Sequence, residues 1–289
     1  MKLLATTRPS EWPSETLLAR LRSRRAQVNT HEVALGEAID WVYRHLNKTL
    51  RKRLEPFLDL LAMQQLILLG RYQLAGEPPP ESLQSRILLA APLREVMAVT
   101  APAEARVGQL EAALVTDYAF ARGLRDRWQN QGPGGFEQQL VSGILQRGLR
   151  RAGPGVLTSV LRYLVDMRNL LSIAKFWRWQ VHQSPPLLDD GALPAARLQR
   201  VWAERDEARF LLLAGRRAGE AVADPQATRL EQALVKGLSR LLRRAGRDPL
   251  SPAVIIDYLW RVQQAAHNRL LEKTLPADRS ALLTEVLLP

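Results

Sequence analysis

The chain has 289 residues, 46% of them hydrophobic, with 41 Lys and Arg against 29 Asp and Glu. That content supports a sizeable core, and the formal charge of +12 draws the protein toward polyanions, whether nucleic acid, lipid headgroups or acidic protein surfaces. The absence of cysteine excludes a disulfide framework and a thiolate metal site, and no uninterrupted apolar run is long enough to cross a bilayer.

Residues 1–14 read as a tail punctuated by Pro9 and Pro13. Ser14 caps a predicted helix over 15–28, whose Arg20, Arg22, Arg24 and Arg25 surround the axis rather than lining one face. A second helix is predicted over 33–54, with Leu35, Ile39, Val42 and Leu46 on one side. Lys48, Arg51, Lys52 and Arg53 make a basic knot on it. A long apolar helix follows from Pro56 to Gly76, then the non-helical linker Glu77-Pro78-Pro79-Pro80. Helices are predicted over 83–99 and 103–128, split by Pro102. Asn130–Gly135 reads as a loop, and 136–151 as another helix.

Leu157–Trp179 reads as the central helix. Apolar residues recur there at three-to-four spacing, and the polar residues fall in one line: Arg162, Asp166, Asn169 and Ser172. Such a line is either a solvated edge or a buried set that needs partners. After the break at Ser184–Gly191, helices are predicted over 195–217, 228–245 and 253–274. No strand pattern is found, so the expectation is an all-α fold.

The long helices echo one another. Placing Gln65, Asn169 and Asn268 in register aligns three of them at intervals of about a hundred residues, a period that suits a repeated subdomain. A second echo pairs Phe136-Glu-Gln-Gln-Leu-Val141 with Leu230-Glu-Gln-Ala-Leu-Val235. Each is followed by Leu-Arg-Arg-Ala-Gly, at Leu149–Gly153 and Leu242–Gly246. The expected organisation is a tail over 1–14 and three similar helical units over 15–102, 103–186 and 187–289.

Motifs for chemistry are missing: no phosphate-binding glycine loop, no HExxH, no histidine pair at helical spacing and no nucleophile elbow. No cofactor or metal is expected. On the residues alone, a basic all-helical nucleic-acid-binding protein and an enzyme with a scattered site stay open.

Arg247–Leu271, RDPLSPAVIIDYLWRVQQAAHNRLL, resembles the C-terminal signature of the C-subunit family of V/A-type ATPases, whose eukaryotic V-ATPase members are called the d subunit. Tyr258-Leu259-Trp260 and Asn268 match in type and spacing. Asp166-Met-Arg-Asn169-Leu170 is similar to the family's middle Asp-x-x-Asn-Leu, and Leu17-Leu-Ala-Arg-Leu-Arg22 to its early Ala-Arg-x-Arg. Ala265 and Arg269 depart from the pattern, at an acidic and a leucine position.

The resemblance implies a non-enzymatic funnel of three pseudo-three-fold helical subdomains. It would sit on the cytoplasmic face of a membrane rotor ring, peripheral to the membrane. It would receive the D and F subunits of the rotary ATPase shaft and pass torque for ion or proton transport. Asp166, Asn169, Tyr258 and Asn268 are then candidate structural residues. Arg51, Lys52, Arg243 and Arg244 are candidate interface residues for peripheral steering.

Overall fold

A computed structural model describes residues 10–28, 34–75, 93, 95–96, 101–225 and 227–274. Among the described residues every long element is helical. They are α1 (Ser14–Gln27), α2 (Leu35–His45), α3 (Lys48–Leu74), α4 (Ala103–Val115), α5 (Leu124–Arg151), α6 (Val156–Arg178), α7 (Ala195–Glu204), α8 (Glu207–Ala218), α9 (Ala227–Ala245) and α10 (Ala253–Thr274). A short 3₁₀ turn covers Ala119–Ala121. No strand occurs among them, so the protein is all-α, as its periodicity predicts. Gly76, the Glu77–Pro80 linker and most of the predicted helix over 83–99 lie outside the described residues.

The chain divides into two compact units. The first comprises the residues up to Pro13 and Gly36–Gly153, and the second Ser14–Leu35 and Pro154–Pro289. Helix α1 therefore belongs with the C-terminal half of the chain.

In the first unit, α3 packs along α5, and α4 packs on α5 and on the 3₁₀ turn. The segment before α1 is tied to the end of α2, with Ser10 N–H donating to Arg44 O at 2.9 Å and Trp12 N–H to His45 O at 3.1 Å. Trp12 stacks obliquely on His45 and meets Trp41 edge to face, closing an aromatic cluster.

In the second unit, α6 packs along α9, α10 packs on α1 and α9, and α8 packs on α9. Tyr163, Phe210 and Tyr258 are among the largest buried side chains there.

Several helix boundaries differ from expectation, each for a local reason. The helix predicted over 33–54 breaks before Asn47, whose Oδ1 accepts from Leu50 N–H at 2.9 Å and caps α3. From there α3 runs through Pro56, where the sequence suggested a start. Pro56 removes one backbone donor, and the buried Phe57, Leu58, Leu60 and Leu61 around it hold the helix together. The helix predicted over 103–128 is divided between α4 and α5. At the break Glu111 accepts from Gly123 N–H at 2.7 Å and Arg125 N–H at 2.9 Å, so a side chain from α4 caps α5.

The predicted loop over 130–135 is instead a sharp kink inside α5. Only Gly132 leaves helical geometry, at φ 63 and ψ −157, and Pro133 restarts the helix where its missing N–H costs nothing. The helix predicted over 195–217 is two helices. Arg205 turns left-handed at φ 49, and the Asp206 carboxylate caps α8 by accepting from Arg209 N–H at 2.9 Å.

Close approach matters most at Gly237 on α9. A Cβ there would strike the Tyr163 hydroxyl of α6 and lie 2.7 Å from the Ala218 carbonyl oxygen at the end of α8. Gly237→Ala is expected to destabilise the protein by roughly 1–3 kcal/mol through overpacking. Chemical denaturation checks this, and an unchanged midpoint would show that these helices separate freely.

Candidate functional site

The most unusual chemistry in the structure is a buried aspartate on each of three long apolar helices. Asp59 on α3 is 5% exposed, Asp166 on α6 is 0%, and Asp257 on α10 is 1%. An ionised carboxylate out of water needs a counter-charge and hydrogen bonds. Each finds them on other elements.

Asp166 stands in the polar line that the sequence displays. Arg162, four residues earlier in that line, is exposed and acts only at longer range. The close partner is Arg217 of α8, whose Nε lies 2.8 Å from Oδ2. Leu193 N–H donates to the other oxygen at 2.9 Å. The Arg217 guanidinium also lies over the Tyr163 ring, 4.0 Å from its centroid, and the Tyr163 hydroxyl donates to Leu234 O at 2.8 Å.

Burial governs the titration of this group. It pushes Asp166 above the usual carboxylate range, against the opposing pull of the Leu193 N–H and Arg217. It pushes Tyr163 up to about 12 and pulls Arg217 down from the ordinary arginine range. Gly191 leaves the room for this contact, because a Cβ there would run into Asp166 Oδ1.

Asn169, one turn on, is fully buried and acts as a piece of backbone. Its Nδ2 donates to Leu188 O and its Oδ1 accepts from Leu188 N–H, both at 2.8 Å. Asp166 and Asn169 thus pin both ends of the 188–193 segment to α6.

Asp257 is held by Arg25 of α1, Nη1 to Oδ2 at 2.9 Å, and by Arg261 one turn on in α10, Nε to both oxygens at 3.2 Å. The pair Arg25–Asp257 spans 232 residues, so it attaches the N-terminal helix to the C-terminal one.

Asp59 lies near the Tyr118 hydroxyl, which hydrogen-bonds to it, and near Arg147 and Arg151 of α5. Burial, helped by Glu55 on the same helix, raises it to about 6. Arg147 covers the Tyr118 ring at 4.8 Å, and Arg151 lies 3.3 Å from the Glu55 carboxylate.

The other residues singled out by sequence fall in different places. Tyr258 is buried at 1%, and its hydroxyl has no hydrogen-bond partner among the described residues. Asn268 and Gln65 are half-buried, so the register through Gln65, Asn169 and Asn268 does not join equivalent surroundings. Among the basic residues, Arg51 is engaged internally. It donates to Leu46 O at 2.8 Å, lies 3.7 Å from Glu11 and covers the Tyr43 ring. Lys52, Arg243 and Arg244 are exposed.

The second unit also has an open cleft lined by Trp177, Arg178, Arg205, Glu207 and Thr228. Among the described residues no group of His, Asp or Glu is placed to hold a metal ion. No family model matches this sequence, and no curated protein matches it significantly.

Asp257 is hydrogen-bonded to two arginines and Asp166 is ion-paired with Arg217, so these contacts tie helices together. Asn169→Leu would orphan Leu188 N–H and O and is expected to cost about 1–3 kcal/mol, read as a lowered thermal midpoint. For Asp59, a folded value near 6 lies above the unfolded 3.8, so its contribution favours folding below about pH 4 and is lost as pH rises through 6. Asp59→Asn is therefore expected to raise stability at pH 7, with the gain shrinking toward pH 4. Denaturant titrations at the two pH values check it, and a gain that grows on acidification would contradict the assignment.

Proposed function

We propose that the chain is a non-catalytic coupler of the V/A-type ATPase C-subunit kind. In this reading it joins the D and F subunits of the shaft to a membrane rotor ring and transmits torque through a stiff helical body. The observation that carries the reading is the recurrence of one unit: a long apolar helix with a buried aspartate, packed on an arginine-bearing helix. It occurs as α3 with α5, as α6 with α9 and, closing the ends of the chain, as α10 with α1.

The sequence around these helices supports the recurrence. Arg24-Arg25-Ala26 on α1 matches the Arg-Arg-Ala of α5 and α9, at Arg150–Ala152 and Arg243–Ala245. The three aspartates follow like runs, Pro56-Phe-Leu-Asp59, Tyr163-Leu-Val-Asp166 and Val254-Ile-Ile-Asp257. Three such units are the basis for a pseudo-three-fold, funnel-like arrangement. The motif resemblance at Tyr258-Leu259-Trp260 and at Asp166-x-x-Asn169 supplies the family.

A coupler under torque needs internal stiffness, and ion pairs that hold helices by buried contacts resist salt better than surface pairs. No helix among the described residues is long and apolar enough to cross a membrane, so in this reading the ring is reached through surface contacts. The expected outcome is co-purification with shaft and ring proteins that persists at high salt. Loss of every protein partner at moderate salt, with retention of nucleic acid, would favour the basic nucleic-acid-binding reading.

A further inference from the structure

We propose that the outward edge of α9 and the turn after it form a docking surface for an anionic lipid bilayer. Lys236, Arg243, Arg244 and Arg247 are exposed, and none forms an ion pair among the described residues. Lys236 and Arg243 are seven residues apart, so they share one edge of the helix about 10 Å apart. Arg244 and Arg247 continue the row into the α9–α10 turn.

The recurrence of the helix pair shows what is different here. In the equivalent Arg-Arg-Ala runs, Arg25 binds Asp257 and Arg151 binds Glu55. In α9 neither arginine has such a partner among the described residues, and Asp166 is held instead by Arg217 of α8. Arg243 and Arg244 are left facing outward.

Leu250 lies in the same turn and is 62% exposed, one of few large apolar side chains so exposed among the described residues. Asp248, the acid of the turn, is occupied in accepting from Leu250 N–H at 3.0 Å. Cations spread over a convex edge match a diffuse anionic plane, where each Lys or Arg near the surface strengthens binding roughly fivefold. A single exposed apolar residue in the turn suits shallow insertion among headgroups. It is too small for the buried core of a protein interface. The patch has no exposed aromatic side chain on which bases could stack.

This rests on the coupler reading, which puts the chain beside a membrane ring, but vesicle binding is measured with no other ATPase component present. The full chain is sedimented with phosphatidylcholine vesicles with and without phosphatidylserine, and in parallel with single-stranded RNA. Binding is expected only to the phosphatidylserine vesicles. It should fall on the order of a hundredfold in Arg243→Gln/Arg244→Gln/Arg247→Gln. Leu250→Ser should weaken it several-fold at unchanged salt. Circular dichroism should be unchanged in both variants, since these side chains are exposed.

Equal binding to neutral vesicles, no vesicle binding, or a triple variant that binds lipid normally would overturn the proposal. So would a triple variant that loses RNA binding alone. Retained co-purification with ring and shaft in any of these cases would leave the coupler reading standing.

Discussion

The helix contacts of the second unit depend on two buried carboxylates, Asp166 and Asp257. Taking one aspartate out of water costs several kcal/mol, and the cost is offset only if charge and hydrogen bonds arrive with good geometry. Asp257 receives two arginines, from α1 and from its own helix. Asp166 receives Arg217 and a backbone N–H. Each pair fixes not merely that two helices touch but at which level along their axes. Apolar contacts alone would tolerate a slip of one turn, whereas a buried charge displaced by one turn is left uncompensated. Specificity of register is the reading that explains why a helix as apolar as α10 retains Asp257.

The loops are governed by the same residues. Asp166 and Asn169 both reach the 188–193 segment, which contains no helix of its own. One helix surface thereby orders a loop by supplying the donors and acceptors that a neighbouring strand would supply in a sheet. Gly191 and Gly237 are the spacing counterparts, each placed where a Cβ would displace a polar contact.

The helical class was legible because the apolar spacing of α6 and α10 is unambiguous. Asp166 and Asn169 stood out because they break an apolar face on one line. Asp59 and Asp257 were passed over, although each is a lone acid inside an aliphatic run, Phe57–Leu61 and Val254–Leu259. That pattern was the available signal. Their partners were not legible, since Arg25 and Asp257 lie 232 residues apart and nothing local links them. The division of α7 from α8 at Arg205 was missed because arginine seldom adopts a left-handed φ, and the Asp206 cap was the better cue. The break before Asn47 carried the same cue, a capping residue ahead of an apolar run. At Gly132 the glycine and proline signals were right about a break and wrong about its length, because Pro133 sits where a helix can begin.

The central claim is that the buried Asp257–Arg25 contact, and not apolar packing alone, holds together the helix pair that closes the chain. A double-mutant cycle on Arg25→Gln and Asp257→Asn, followed by denaturant unfolding, tests it most directly. The account predicts strong non-additivity, with a coupling energy of about 1–3 kcal/mol between the two sites. Two losses that simply add, to within about 0.3 kcal/mol, would mean that α1 rests on α10 through its leucines and that the carboxylate is incidental.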